Sequence, residues 1–267
     1  MKIALVQNNP IFGEKDNNIS NLLLMMEQND AELYVLPEMS YTGYQAKSAE
    51  EVRALADRID SDNVMRFAEW SKHHDKAVIF GFPEAAEDGK IYNSSLFVTP
   101  EGQKFIYRKS HLFYNEKIFY APGNTGFFVN EWRGVKIGQA ICFDWYFSES
   151  FRTLALLGAD IIAHSTNLVM PYCQRAMFAR AIENKIYIAT ANRIGEENRT
   201  EEKFVYTGQS VLVNPSGEYL IDAPKDKTGV FTAEIDTKFS RNKQLNCFND
   251  VFEDRREFLY KTHSSEK

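Results

Sequence analysis

Cys142 lies between two contrasting stretches, an apolar run over 135–141 that reads as a strand and an amphipathic run over 148–157 that reads as a helix. A cysteine at a strand-to-helix junction sits on a sharp elbow, its sulfur projecting beside backbone N–H groups that no helical carbonyl satisfies. Those groups and the helix dipole favour the thiolate, which suits a nucleophile. Most free cysteines are instead small buried apolar residues, so position alone leaves both readings open. Two other segments supply the company a catalytic thiol needs. Glu38 stands in Val35-Leu36-Pro37-Glu38-Met39, at the end of a strand-like run that starts near Leu33. Lys109 stands in Tyr107-Arg108-Lys109-Ser110-His111, directly after another such run over 104–107. All three side chains therefore fall at C-terminal strand ends, the edge where open α/β sheets place their ligands. A carboxylate, an ammonium and a thiol converging there make a base, a cation and a nucleophile.

At these residues the sequence resembles the nitrilase superfamily of carbon–nitrogen hydrolases. The matching segments are Leu36-Pro37-Glu38 with Thr42-Gly43-Tyr44, then Tyr107-Arg108-Lys109 with His111-Leu112-Phe113 and Glu116, then Ile141-Cys142-Phe143-Asp144 with Glu149. Asn167-Leu168-Val169-Met170-Pro171, Arg180-Ala181-Ile182-Glu183-Asn184 and Ala191-Asn192-Arg193 follow in order. Together they span residues 2 to 255 or so, nearly the whole chain, and each motif gains its weight from the others. The resemblance implies a Glu-Lys-Cys triad of Glu38, Lys109 and Cys142, with Glu116 as a second glutamate that positions substrate or lysine. It also implies an α/β fold built as a four-layer α-β-β-α sandwich and an even homo-oligomer, a homodimer or larger. A C-terminal tail over 236–267 would reach a neighbouring subunit. Taken without the resemblance, Glu116 is one more exposed carboxylate among 37 acidic residues.

The chemistry follows from the residue types. A thiolate attacking an amide or nitrile carbon builds negative charge on oxygen or nitrogen, and fixed donors must meet it; the Phe143 N–H and the Lys109 ammonium are the candidates. The thiol must lose a proton and the departing nitrogen must gain one, a task for Glu38. Burial beside Pro37 and Met39 would raise the Glu38 pKa while Lys109 would lower it. The cycle expected is attack by Cys142, release of ammonia or an amine, and hydrolysis of the thioester by a water that Glu38 deprotonates. It calls for neither a metal nor an organic cofactor. Cys142-Phe143-Asp144 is closer to the amidase and carbamoylase branches than to the nitrilase branch, and a small nitrile stays open as the alternative substrate. Many relatives carry Arg where this chain has Tyr146 and Pro where it has Ser148, so a charged handle for a carboxylate is missing.

Bulk properties narrow the classes further. With 267 residues, 44% hydrophobic and 25% charged, the chain suits one globular α/β domain over 1–267. A formal charge of −6 disfavours nucleic acid as a partner and leaves a small molecule. The chain opens directly into a strand over 3–6, without a signal-type h-region, and holds no stretch long enough to span a bilayer. Cys142, Cys173 and Cys247 are scattered without metal-type spacing, which points away from a disulfide framework and toward a reducing cytoplasm.

Around the triad, strands alternate with amphipathic helices. Ile19, Leu22, Leu23 and Met26 mark one helical face and Val64, Phe67, Trp70 and Ser71 a second. Strands are expected over 33–36, 77–80, 94–98 and 104–107, then 135–141, 160–164, 186–191, 209–214, 218–222 and 230–235, with helices over 148–157 and 171–184. Helices with a single apolar stripe would flank two sheets packed face to face. Tyr44, Tyr114, Trp145 and Tyr172 cluster near the motifs as a candidate aromatic wall, though each alone reads as core. Tyr44, Tyr114 and Trp145 join Phe143 and Asn167 as the expected substrate-binding residues. His73-His74 reads as a polar helix end rather than a metal pair, since adjacent helical residues diverge by ~100°. His111 reads as a structural hydrogen-bonder and Cys173 as a packing thiol. A non-catalytic binding protein on the same fold and a redox-sensing thiol protein are the competing classes.

Overall fold

The computed structural model describes residues 1–260. In chain order, strand β1 (Lys2–Gln7), helix α1 (Lys15–Glu27), β2 (Leu33–Val35), α2 (Ala49–Leu55) and α3 (Asp62–His74) lead into a meander of β3 (Ala77–Ala85), β4 (Ile91–Val98) and β5 (Lys104–Arg108). A short α4 (Glu116–Phe119) precedes the second half: β6 (Val129–Trp132), β7 (Val135–Ile141), α5 (Ser148–Leu156), β8 (Ile161–Thr166), α6 (Cys173–Asn184) and β9 (Tyr187–Asn192). The small hairpin of β10 (Glu196–Glu197) and β11 (Phe204–Val205) comes next, then β12 (Val211–Val213), β13 (Tyr219–Asp222), β14 (Gly229–Glu234) and α7 (Thr237–Arg241). Two six-stranded sheets result, in the orders β14-β1-β2-β3-β4-β5 and β13-β12-β9-β8-β7-β6. Each has a parallel centre, β1-β2-β3 and β7-β8-β9, with antiparallel strands outside it.

The period-two alternation of the central strands sets the layers. In β1, Ile3 and Leu5 join Leu33, Val35, Ile79, Ile137, Ile161 and Ala189 in one apolar core that draws on both sheets. Their neighbours Ala4 and Val6 face the other way, with Ile19, Leu22 and Met26 of α1 and Val64, Phe67 and Trp70 of α3. On the second sheet Ala140, Ile162 and Ile188 pack with Phe151 and Leu154 of α5 and Met177 and Ala181 of α6. This is the expected helix-sheet-sheet-helix sandwich. Helix α3 starts where Ser61 accepts from the Val64 N–H and stops at Asp75, whose φ of 57° is left-handed.

The layers bring one edge of both sheets together. Glu38 lies three residues past β2, Lys109 directly follows β5, Cys142 follows β7, Asn167 follows β8 and Arg193 follows β9. The expected strand over 77–80 is much longer, Ala77–Ala85, because it pairs with β4 from Val78 to Ala85. Helix α6 begins at Cys173 rather than at 171. Helix α2, strand β6 and the β10-β11 hairpin had no counterpart among the expected elements. The tail from 236 holds α7 and a Gln244–Asp250 bridge, and Arg241 anchors it through hydrogen bonds of 2.9 and 2.7 Å to buried Asp160. Residues 261–267, the end of the tail expected to reach a neighbouring subunit, lie outside the described residues.

Phe67 is fully buried and stacks on Phe80 at 4.2 Å between ring centroids. Phe67→Ala is expected to lower the unfolding free energy by about 3–5 kcal/mol, read from urea midpoints at an unchanged slope.

Candidate active site

Lys109 is the hub of the site. Its Nζ donates to Glu38 Oε1 at 2.7 Å and to Glu116 Oε1 at 2.8 Å, and all three residues are buried. Asn93 Nδ2, from β4, donates to the same Glu38 oxygen at 2.7 Å. The Tyr44 hydroxyl donates to Glu116 Oε1 at 2.6 Å, and the Phe113 N–H donates to Glu116 Oε2 at 2.9 Å. Glu38 Oε2 and Asn93 Oδ1 have no hydrogen-bond partner among the described residues. Burial by itself would lower the lysine pKa, but the adjoining Glu116 and Glu38 carboxylates outweigh it and hold the ammonium above its ordinary value. Burial also pushes the Glu116 carboxyl up, against the pull of Lys109.

Two glycines let the backbone come this close. A Cβ at Gly81 would lie 2.6 Å from Glu38 Cα, and one at Gly123 would lie 2.7 Å from the Lys109 carbonyl oxygen. Both glycines thus back the residues that hold the acid and the amine.

Cys142 departs from expectation in its local setting. It opens a single 3-10 turn, Cys142–Tyr146, and α5 begins only after that turn, so no α-helix dipole backs the sulfur. Burial, reinforced by the Glu38 charge, pushes the thiol pKa well above its ordinary value, while Lys109 and the Asn167 backbone N–H pull it down. The resting group is the neutral thiol, not the thiolate that the elbow alone suggested. Its φ of 39° is left-handed, unusual for a residue with a side chain. Two contacts hold it there. Asp144 Oδ2 accepts from the Ile141 N–H at 2.9 Å and from the Tyr107 hydroxyl at 2.8 Å. His164 Nε2 meets the Cys142 carbonyl at 3.0 Å and its Nδ1 meets Thr190 Oγ1 at 3.0 Å. A carbonyl only accepts, so Nε2 carries the proton and Nδ1 accepts from the threonine. Burial lowers the His164 pKa to about 4 and keeps the ring neutral.

The Tyr44 loop is fixed from the far side by Glu197. That carboxylate accepts from the Gln45 N–H at 2.6 Å and from the Tyr44 N–H at 3.1 Å, and pairs with buried Arg193 at 2.6 Å. Phe204 of β11 lies 6.0 Å from the Tyr44 ring and 6.1 Å from that of Tyr114, which is half exposed. Phe143 is half-buried, 5.2 Å from Phe113, and Trp145 is buried in the apolar cluster that also holds Cys142 and Leu168. Tyr172 is 55% exposed. His111 hydrogen-bonds Asp144 through Nδ1 at 2.8 Å, Cys173 packs with Met177 in the apolar cluster under α6, and Cys247 is exposed. His74 stacks on Trp70 at 4.5 Å, and no cluster of three or more metal-ligating residues occurs among the described residues. Asn93, Gly81, Gly123, His164 and Glu197 were not among the expected site residues.

Residues 2–242 match the carbon–nitrogen hydrolase family. The chain belongs to that family. As a carbon–nitrogen hydrolase it is 45% identical, over 97% of its length and 99% of the other's, to a nitrilase of Pyrococcus abyssi. It is 32% identical to an (R)-stereoselective amidase of Pseudomonas sp., over 97% and 93% of the two chains. Its fold matches that of a mutant amidase from Nesterenkonia sp. AN1 with a TM-score of 0.79 at 24% identity, over 97% and 98% of the chains; there acrylamide has added to the active-site cysteine.

In this hydrolase Lys109 Nζ makes two of the three hydrogen bonds an ammonium can donate, and one Glu38 oxygen makes none among the described residues. An alanine at position 81 would push the Glu38 backbone aside, so Gly81→Ala is expected to cut kcat/KM by about 100-fold while most of the melting temperature is retained. His164 makes a pH signature. Its folded pKa of about 4 lies below the unfolded value of 6.5, so its stabilisation is full above pH 6.5 and is lost as pH falls from 6.5 toward 4. The loss totals about 3 kcal/mol. Urea titrations across that range should show the decline in the parent protein and a flatter profile in His164→Gln.

Proposed function

We propose that this protein hydrolyses the carbon–nitrogen bond of a small amide or carbamoyl compound through a thioester on Cys142. What carries the reading is the Lys109 ammonium held between two carboxylates, with one Glu38 oxygen idle. Cys142 attacks the carbonyl carbon as Glu38 Oε2 takes the thiol proton, which suits a thiol whose pKa is raised rather than lowered. Charge gathering on the carbonyl oxygen meets the Lys109 ammonium and the Phe143 N–H. Glu38 returns the proton to the departing nitrogen, and ammonia or an amine leaves. Water then enters and gives a proton to Glu38 as it attacks the thioester; the Cys142 sulfur leaves, takes that proton back from Glu38, and a carboxylic acid is released. Glu116 touches no reacting atom in this scheme; it keeps Lys109 in place and charged. A nitrile is the second reading, supported by the 45% identity to a nitrilase.

Cys142→Ala is expected to abolish ammonia release from every substrate while the protein stays folded. With substrate in excess, mass spectrometry of the parent protein should show an acyl group on the Cys142 peptide. Lys109→Met should slow acylation by about 100- to 1,000-fold, the usual effect of losing one oxyanion donor. Near-parental turnover by either variant would overturn these roles.

A further inference from the structure

Building on the reading of Cys142 as nucleophile, we propose that Asn167 selects the substrate, admitting an unsubstituted carboxamide or ureido group, –C(=O)NH2, over an N-alkyl amide or a nitrile. Asn167 follows the last residue of β8, and the parallel pairing of β7 with β8, which sets Ile141 against Ser165, brings it alongside Cys142. Asn192 clamps both of its neighbours: its Oδ1 accepts from Thr166 Oγ1 at 3.0 Å and from the Leu168 N–H at 2.9 Å. Asn192 is itself held by Nδ2 bonds of 3.0 Å to Thr207 Oγ1 and 2.7 Å to the Gly208 carbonyl. The backbone of Asn167 is therefore fixed beside the sulfur. Its side chain is only 4% exposed, yet neither Nδ2 nor Oδ1 finds a partner among the described residues.

Buried amides are nearly always paired, and a ligand that pairs them recovers what solvent lost. Asn167 contributes one unpaired donor, Nδ2, and one unpaired acceptor, Oδ1, and the proposed base contributes a second acceptor, Glu38 Oε2; Asn93 Oδ1 is a further unpaired acceptor next to the base. A primary carboxamide presents the complement, two N–H donors and a carbonyl acceptor. Its nitrogen must already lie against Glu38 Oε2, since that oxygen hands it a proton on departure. The second N–H then falls to Asn167 Oδ1. A nitrile nitrogen only accepts and leaves Asn167 Oδ1 and Glu38 Oε2 unpaired. An N-alkyl amide replaces one donor with carbon. A site built to pair such groups rejects analogues that lack them.

The test measures kcat/KM for matched primary amides, N-methyl amides and nitriles with tails of two to five carbons, following ammonia or methylamine release. It uses the parent protein, Asn167→Leu and Asn167→Asp, each with its melting temperature recorded. The parent should favour the primary amides by at least about ten-fold. Asn167→Leu should lose about 10- to 100-fold on primary amides and far less on N-methyl amides, so the preference collapses. Asn167→Asp, which keeps an acceptor at Oδ1, should retain part of it and guards against a leucine variant that fails to fold. An unchanged preference in a folded variant, or a parent protein that favours nitriles, overturns the Asn167 assignment and leaves the thioester reading standing. A parent protein that releases nothing from any of the three classes overturns both.

Discussion

A single ammonium, sealed from water between two carboxylates, governs how the rest of this molecule is arranged. Removing such an ion from water is expensive unless its partners are close and hydrogen-bonded. Here the ion and its two partners come from three places in the chain, just past the end of β5, the segment after β2 and the start of α4. Each carboxylate is in turn steadied by a neutral donor, Asn93 for Glu38 and Tyr44 for Glu116. The arrangement closes only if the strand ends meet within hydrogen-bonding distance. Gly81 and Gly123, where a side chain would collide with the backbone of Glu38 and Lys109, show how tightly those ends are packed.

The second sheet contributes the sulfur, and the two halves are tied at this point by polar contacts rather than by the apolar core alone. Tyr107 of β5 donates across the interface to Asp144, which in turn holds the turn that opens at Cys142. His164 braces the same turn from β8. The left-handed backbone of Cys142 is a strained conformation that persists because its surroundings over-determine it. A thiol in that position is presented to the ammonium-carboxylate group by geometry, while burial keeps it protonated until a base removes the proton.

Much of this was legible in the chain. The alternation of Ile3 and Leu5 with Ala4 and Val6, and the helical spacing of Val64, Phe67 and Trp70, each map onto the layer they face. Glu38 and Lys109 stood out by type and position at strand ends and Glu116 only through the family resemblance, and the structure joins all three directly. What escaped was supplied by neighbours in space. Asn93 reads as one polar residue inside a strand until β4 is seen to lie beside Glu38. Glu197 sits in a charged run, Glu196-Glu197, and nothing local says that its carboxylate grips the Tyr44 loop more than 150 residues away. The setting of Cys142 was misread for a related reason. A strand followed by a helix suggested a dipole, whereas the intervening turn Cys142–Tyr146 separates the sulfur from α5.

The idle oxygen of Glu38 has one more implication. Its twin is occupied by Lys109 and Asn93, so in the proposed cycle a single atom must ferry every proton. Such an atom cannot receive from water while it still holds the proton taken from sulfur. Timekeeping is thus enforced by occupancy: the first product's nitrogen has to be protonated before the second half-reaction can begin, and premature hydrolysis is forestalled without any moving part.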